Sequence, residues 1–449
     1  MKKLICLIIS LCLCSTIFFG CMMEDSPSAE KESQSKVEDL SEESLDKESL
    51  SEEQSVEESQ EDLSEESNEE EGNLEVGYWH DTFNFGITVD DGVMMLGDEA
   101  LYEAGVNCYN LVNQCFEDNF SSQKAKQTLD VLADYGISVV RFNCGGYAYD
   151  SIATYLENED EFIQLLVEVC EYAEELQIGL IPSFFWLHHA VPDYFDEPIR
   201  YWGREDSQTI GFVREYTSTI VSYIKDYKAV FAWEFGNEFN LSCDLPNASE
   251  HMPALPEGSK RASRTEEDYL SATDFNFAIS VFVEEILKLD DTGRMITTGN
   301  ATLRPSQYNQ LYFNSWEQDS VEQFRDISIV FNPEGVTAVC EHVYFTSQHT
   351  FGQDLTLAEY LTYAVENAKS LEKAYFVGEW GGGTSNERSY YSEIGKAFID
   401  AGVQLALLWN FNAVEGSVEY SFSANTERGQ MLLDVIEEMN NYYDEKYTN

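Results

Sequence analysis

The sequence predicts an α/β fold, a (β/α)8 barrel with an N-terminal β-hairpin and long loops after strands 3, 4 and 5. Two observations lead to this prediction. Short apolar segments alternate with longer amphipathic segments through residues 74–449, which is the pattern of β–α–β units around a parallel sheet. This region also exceeds the roughly 250 residues of a minimal barrel, which leaves room for inserted loops.

The first twenty residues resemble a bacterial secretory signal. Two lysines precede a largely apolar run at residues 4–19, which is too short to cross a bilayer comfortably. A small residue and then Cys21 follow, and this arrangement resembles the lipobox of bacterial lipoproteins, in which the cysteine is acylated. The sequence therefore predicts an extracellular, cell-surface protein anchored by lipid at Cys21. Phe18 and Phe19 depart from the usual lipobox, which leaves plain secretion as the alternative.

Residues 21–73 form the second predicted segment. They consist mostly of Glu, Ser, Asp and Gln, with few apolar side chains to offset the entropy of ordering. Because like charges repel along such a chain, we expect a disordered tether between the cell surface and a single domain at residues 74–449. An acidic tail that binds a partner is the alternative, but no aromatic or periodic feature interrupts the run.

The whole chain is strongly acidic, with a formal net charge of −57. Such a charge argues against nucleic acid as a partner and suits neutral substrates. The cysteines of the predicted domain show no metal-ligand spacing, and the sequence leaves buried thiols and disulfides equally open. These cysteines are Cys108, Cys115, Cys144, Cys170, Cys243 and Cys340.

The elements of the domain follow in order from the hydrophobic pattern. A hairpin is predicted at residues 85–95, with its turn at Asp90-Asp91-Gly92, and we expect it to close the bottom of the barrel. The predicted strands span residues 105–110, 138–143, 178–184, 229–235, 294–299, 337–344, 375–379 and 403–409. The predicted helices include residues 122–135, 159–176, 209–227, 265–289, 357–371 and 389–401. Loops at the C-terminal ends of barrel strands form the active site in this architecture.

Two glutamates stand at such strand ends on opposite sides of the predicted barrel. Glu238 follows strand 4, and Glu379 ends strand 7. Cleavage of an acetal between two sugars needs a proton for the departing oxygen and a carboxylate for the anomeric carbon. We therefore expect Glu238 and Glu379 to meet across the mouth of the barrel.

The segments around these glutamates resemble the two catalytic motifs of glycoside hydrolase family 5, in clan A. They read Trp-Glu-Phe-Gly-Asn-Glu at residues 233–238 and Val-Gly-Glu-Trp-Gly at residues 377–381. The likeness spans essentially residues 83–420, and it implies retaining hydrolysis of β-linked glucans, mannans or related glycosides. It also implies that Glu238 is the acid/base and Glu379 the nucleophile. Further positions that agree in strand order are Arg141, Asn237, His342, Tyr344 and Trp409.

A physical role can be given to the residues around the two glutamates. Arg141 would donate to Glu379 and hold it ionised, since an adjacent cation lowers the pKa of a carboxyl group. Tyr344 would add a hydrogen bond to the same group. Glu238 must instead be protonated at rest, which calls for a less polar environment and an anionic neighbour, and it would switch to a base when Glu379 is glycosylated.

The substrate would be held by other residues of the same set. Asn237 is placed to bond the sugar 2-hydroxyl, His342 could orient Glu238, and Trp409 offers a flat face to the pyranose ring. His189, in the loop after strand 3, is a candidate for substrate contact, with simple loop exposure as the equal alternative. Aromatic residues also crowd this loop and could either bind sugar or pack the loop onto the barrel.

Three nearby residues have structural interpretations. We expect Glu234 to be an ion-pair partner rather than a catalyst. Glu341 alternates away from His342 along its strand and should face the helices. Phe239 stands where the family usually has proline. A proline would stiffen the loop and hold residue 238 extended, so the phenylalanine affects the direction in which the Glu238 side chain points.

The leading hypothesis is thus a surface glycosidase acting on oligo- or polysaccharides. We predict no cofactor and no metal, since carboxylate catalysis needs none and no Asp-rich loop has calcium-binding spacing. Membrane contact is expected only through the lipid anchor. The alternative is a barrel that captures glycans without cleaving them, against which both carboxylates argue. A two-lobed solute-binding lipoprotein ranks last, because the alternating strand and helix pattern continues without a break through eight predicted strands.

Overall fold

The computed structural model describes residue 79 and residues 85–382, 385–412 and 420–447. The predicted signal at residues 1–20, the lipidation site Cys21 and the tether at residues 21–73 lie outside the described residues. They therefore stay predictions. All statements below concern the described part of the chain.

Eight parallel strands close into a barrel, as the sequence predicts. The strands in chain order are β1 (Ile87–Asp90), β2 (Val93–Leu96), β3 (Glu99–Ala100), β4 (Glu103–Asn107), β5 (Val139–Gly146), β6 (Gly179–Phe185), β7 (Ala232–Gly236), β8 (Met295–Thr297), β9 (Ala338–Val343), β10 (Ser347–Thr350), β11 (Gln353–Thr356), β12 (Ala374–Trp380) and β13 (Leu405–Leu408). The barrel runs β4-β5-β6-β7-β8-β9-β12-β13 and closes by pairing of β13 with β4. Each barrel strand overlaps one of the eight predicted segments. Their apolar composition suits strands that are buried on both faces.

The predicted N-terminal hairpin is present and covers one end of the barrel. Asp90 pairs with Val93 across a two-residue turn, in which Asp91 and Gly92 both have positive φ angles (47° and 76°). This is the backbone that a type I′ turn requires. The amide of Ile87 donates to the carbonyl of Phe231 just before β7, at 2.8 Å, so the hairpin lies at the N-terminal ends of the strands.

Two apolar clusters stabilise the barrel. The inner cluster fills the N-terminal half of the barrel and includes Met94 of the hairpin together with Phe231 and Phe376 from the barrel wall. The larger cluster lies between the outside of the barrel and its helices. The polar positions at the opposite, C-terminal end are therefore left to form a site.

Helices surround the barrel at the predicted positions, with one clear error. They are α1 (Gln123–Asp134), α2 (Tyr149–Glu157), α3 (Glu159–Glu175), α4 (Ala190–Tyr194), α5 (Gln208–Ile224), α6 (Ala272–Leu289), α7 (Gln307–Phe313), α8 (Val321–Phe331), α9 (Leu357–Ser370), α10 (Arg388–Ala401) and α11 (Glu427–Tyr447). The helix predicted from residue 265 begins at Ala272. Thr265 instead caps a separate 3-10 turn, Glu266–Asp268, and Ser271 forms the capping box of α6 with Asp274.

The six cysteines of the domain are free and buried. The structure therefore supports the thiol interpretation that the sequence left open. None of the helices in the described residues is long and apolar enough to span a membrane.

Candidate active site

Arg141 of β5 has no exposed surface, and its guanidinium joins two buried carboxylates. Its Nε donates to Glu234 Oε1 at 2.6 Å, and its Nη1 donates to Glu379 Oε1 at 2.8 Å. Nη1 also donates to Asn107 Oδ1, and Nη2 donates to Asn237 Oδ1, each at 2.9 Å. Groups from three other strands, β4, β7 and β12, thus converge on one cation. The predicted Arg141–Glu379 contact and the predicted ion pairing of Glu234 are both present.

Two side chains at the end of β9 complete the surroundings of the glutamates. The Tyr344 hydroxyl donates to Glu379 Oε2 at 2.7 Å. His342 Nδ1 lies 3.0 Å from Glu238 Oε1 and 3.5 Å from Glu379 Oε1. His342 and Glu379 are register partners on adjacent strands, which explains why both side chains reach the same point. The structure therefore brings His342 and Tyr344 to the glutamates as the sequence predicts.

Glu238 adopts an unusual backbone conformation for a residue with a side chain. Its φ angle is 57° and its ψ angle 25°, in the left-handed region. Its amide donates to the carbonyl of Gly299 at 2.9 Å. A Cβ atom at Gly299 would lie 1.8 Å from the carbonyl oxygen of Gly236, so only glycine permits this close approach of the two loops. Phe239 begins a 3-10 turn, and residue 238 is not extended as a following proline would favour.

The two glutamates differ in their electrostatic surroundings. Burial raises the pKa of Glu238 to about 7, and the nearby Arg141 opposes that rise. Burial also raises the pKa of Glu379, and this rise is opposed by His342, by Arg141 and by the hydrogen bond from Tyr344. Donors thus hold both oxygens of Glu379, whereas Glu238 has one imidazole partner. Hydrogen-bond donors stabilise the ionised form of a carboxyl group. When the pair of glutamates carries one proton, that proton is therefore on Glu238.

Burial lowers the pKa of His342 to about 4, although the charge of Glu379 opposes the shift. The imidazole is therefore neutral at neutral pH. Its Nδ1 can accept a hydrogen bond from protonated Glu238 or, in the other tautomer, donate one to the ionised form. His342 can orient Glu238 in both states without taking its proton.

The separation of the glutamates sets the chemistry that they can perform. One ligand atom from each of Glu238, His342 and Glu379 lies within 4.8 Å of the others. A short carboxyl separation of about 5 Å is typical of retaining glycosidases, since inverting enzymes leave about 6.5–9.5 Å for a water molecule. The same three groups are spaced to hold a cation. However, Arg141 and Tyr344 already donate to both oxygens of Glu379, which suits a charge-balanced nucleophile better than a metal ligand.

Aromatic rings surround the mouth of the barrel beside these groups. Trp409, which follows β13 as predicted, lies with its ring centroid 5.8 Å from those of Tyr109 and Trp186. Tyr147 lies 5.7 Å from Trp186, and the Arg141 guanidinium carbon lies 5.1 Å from the Trp186 ring centre. Such a cluster offers flat faces for a pyranose ring. Tyr109 and Tyr147 were not predicted, although each follows the polar end of a barrel strand.

The structure places His189 in a network between two loops. Its Nδ1 lies 2.9 Å from Asp193 Oδ2, and Arg264 donates to both oxygens of Asp193 at 2.6 and 2.7 Å. Arg264 and Asp268 belong to the long insertion after β7, so this network ties that insertion to the loop after β6. The contacts favour a structural role for His189 over the predicted substrate contact.

Glu341 faces the helices, as its alternation along β9 predicts. Its carboxylate accepts hydrogen bonds from the hydroxyl groups of Tyr360 on α9 and Tyr375 on β12. Burial raises the pKa of Glu341 to about 7, and the two tyrosines oppose the shift. This carboxyl group lies on the outer side of the barrel wall and serves packing.

Comparison with known proteins gives one family. The family description "Cellulase (glycosyl hydrolase family 5)" matches residues 102–414. No curated protein matches the chain. An endo-1,4-β-mannanase from Rhizomucor miehei has a similar structure, with a TM-score of 0.56, 15% identity, and coverage of 79% of this chain and 99% of that one.

Two further structures show the same fold at low identity. An endo-β-1,4-mannanase from Thermotoga petrophila has a TM-score of 0.53 and 14% identity, over 77% of this chain and 78% of that one. An exo-β-1,4-mannosidase from Opitutaceae bacterium strain TAV5 has a TM-score of 0.53 and 15% identity, over 80% of this chain and 63% of that one.

Proposed function

Because the chain belongs to glycosyl hydrolase family 5, we propose that its activity on β-linked glycans uses Glu379 as the nucleophile and Glu238 as the acid/base. One observation carries this assignment. Glu379 is held at one oxygen by Arg141 and at the other by Tyr344, while Glu238 faces it with a single imidazole partner. The pair is therefore asymmetric, with an ionised carboxylate and a protonated one.

In the first step, an oxygen of Glu379 attacks the anomeric carbon while the glycosidic bond to the leaving group breaks. Glu238 gives its proton to the departing oxygen, so the alcohol leaves neutral. The product is a glycosyl ester on Glu379. Arg141 stabilises the carboxylate before attack, and its bond to Asn237 fixes that amide at the mouth, where it can bind the sugar 2-hydroxyl.

In the second step, water attacks the anomeric carbon of this ester from the side that the leaving group vacated. Glu238, now ionised, takes a proton from the water, and Glu379 leaves as a carboxylate. Esterification removes the charge of Glu379 and so favours ionisation of Glu238. Two displacements at one carbon retain the β configuration.

We propose manno-configured β-glycans as the first substrates to test, with glucans beside them. The similar structures named for β-1,4-mannanase and β-mannosidase activity support this choice. The aromatic rings of Trp409 and Tyr109 at the mouth of the barrel suit either sugar, since a glucopyranose and a mannopyranose ring both present an apolar face.

We also propose that the protein is exported and carries a lipid at Cys21. Metabolic labelling with a fatty acid, compared between the wild type and Cys21→Ala, would test this.

The test measures hydrolysis of aryl β-mannosides, aryl β-glucosides, mannan and soluble β-glucan by the wild type and by Glu379→Gln. We expect the substitution to abolish turnover of the preferred substrate, because an amide is a far weaker nucleophile than the carboxylate that it replaces. Glu341→Gln is the matched control, since Glu341 is a buried strand glutamate on the outer side of the barrel wall. Full activity in Glu379→Gln, or equal loss in both variants, would overturn the assignment.

A further inference from the structure

The backbone at Glu238 needs an external restraint to hold its conformation. A residue with a side chain in the left-handed region is strained, and such a conformation persists only where its surroundings determine it. A change of this φ angle would swing the carboxyl group away from the glycosidic oxygen. The contacts that fix residues 238–243 therefore bear on proton transfer.

Asn240 supplies the first restraint. Its Oδ1 accepts the amide of Ala301 at 2.9 Å, and its Nδ2 donates to the carbonyl of Ala301 at 2.8 Å. The side chain thus pairs with a backbone unit of the loop after β8 in both directions. Asn240 has no exposed surface, so water cannot replace these bonds.

Arg304 supplies the second restraint, and its bonding pattern is unusual. Its Nη1 donates to the carbonyls of Asn240 and Leu241 at 3.0 and 2.8 Å, and its Nη2 donates to the carbonyl of Cys243 at 2.6 Å. Its Nε donates to Gln310 Oε1 at 2.6 Å, which anchors the side chain to α7. Among the ion pairs of the described residues, none involves Arg304. Its two Nη atoms donate instead to backbone carbonyls within and just after the 3-10 turn that begins after Glu238.

We propose that Arg304, together with Asn240, is a positioning device that sets the aim of the acid/base Glu238 from the loop after β8. It acts through the backbone, because neither residue is bonded to the carboxyl group itself. The proposal rests on the proposed role of Glu238. The clamp holds residue 238 in a left-handed conformation, whereas a proline at position 239 would favour an extended one.

The experiment compares leaving groups. A dinitrophenyl glycoside departs without a proton, whereas an alkyl or disaccharide substrate needs the acid. For Arg304→Met we expect kcat/KM to fall on the order of 100-fold for the alkyl substrate and to change only about 3-fold or less for the dinitrophenyl substrate, since a positioned acid contributes about 100-fold or more. Active sites are titrated so that the rates refer to folded enzyme.

Arg294→Met is the matched control. Arg294 is also buried and also donates to a backbone carbonyl, that of Lys225, but it lies just before β8 at the other end of the barrel. We expect it to lower the thermal midpoint and to leave the ratio of the two kcat/KM values unchanged. An equal loss on both substrates in Arg304→Met would mean a merely structural role and would overturn the proposal.

Asn240→Ala keeps the test decisive if Arg304→Met does not fold. It removes the two bonds to Ala301 and leaves the arginine in place, so we expect a smaller loss that again falls mainly on the alkyl substrate. A parallel loss on both substrates would overturn the proposal. Absence of any β-glycoside hydrolysis by the wild type would instead refute the proposed function.

Discussion

Replacement of Arg141 by methionine tests the charge balance of the site. The substitution removes a fully buried cation from between Glu234 and Glu379 and leaves both carboxylates without their ion-pair partner. Breaking a buried ion pair in this way costs about 3–5 kcal/mol of unfolding free energy. We therefore expect a loss of that size for Arg141→Met in urea denaturation at alkaline pH.

The loss should depend on pH in a defined direction. Without Arg141, which opposes the upward shift, the pKa of Glu379 in the folded state rises further. A carboxyl group with a raised folded pKa contributes stability that is complete below its unfolded value, about 4.3, and that is lost as the pH rises through the folded value. The deficit of the variant should therefore be smallest near that acidic limit and largest above neutral pH. The acidic limb of its residual kcat/KM profile should move to higher pH.

A surface arginine provides the control for this measurement. Arg388 pairs with Asp434 and Glu438, but its side chain is 41% exposed. We expect Arg388→Met to cost less than about 1 kcal/mol. If Arg141→Met were as stable as Arg388→Met at alkaline pH, the reasoning about a buried charge balance would be refuted.

Further predictions concern the pH dependence of activity and of stability. Glu238 must be protonated to act as the acid, and burial raises its pKa to about 7. The kcat/KM of the wild type should therefore fall as the pH rises through about 7. The same fall in Glu238→Gln would contradict this assignment. Burial also raises the pKa of Glu341 to about 7, so its contribution to stability should be lost as the pH rises from about 4.3 to about 7. Glu341→Gln should therefore flatten that part of a urea-stability profile by up to about 4 kcal/mol. An unchanged profile would count against this reading.

The barrel could be predicted because its strands are apolar on both faces and its helices are amphipathic. The errors occur where short-range signals mislead or are absent. Thr265 and Asp268 form a capping box like that of a long helix, but the turn they cap ends after three residues. The hairpin of β10 and β11 was missed because its residues are mostly polar and exposed, without the alternation that marks a half-buried strand.

The site was predictable to the extent that it lies in strand-end motifs. The contacts of Arg141 and Tyr344 with Glu379 follow from their positions at the C-terminal ends of barrel strands. The Asn240 and Arg304 clamp could not be predicted, because its bonds join backbone groups of two irregular loops. The positive φ angle of Glu238 likewise leaves no mark in the sequence, since glutamate has no preference for it.

The central claim is that Glu379 forms a covalent bond with the sugar. An activated 2-deoxy-2-fluoro β-glycoside of the preferred sugar slows both displacements and lets the glycosyl-enzyme accumulate, because fluorine destabilises the oxocarbenium-like transition states. Mass spectrometry of the intact protein should then show one added sugar, and peptide mapping should place it on Glu379. An adduct on another residue, or hydrolysis with inverted configuration and no adduct, would contradict the mechanism.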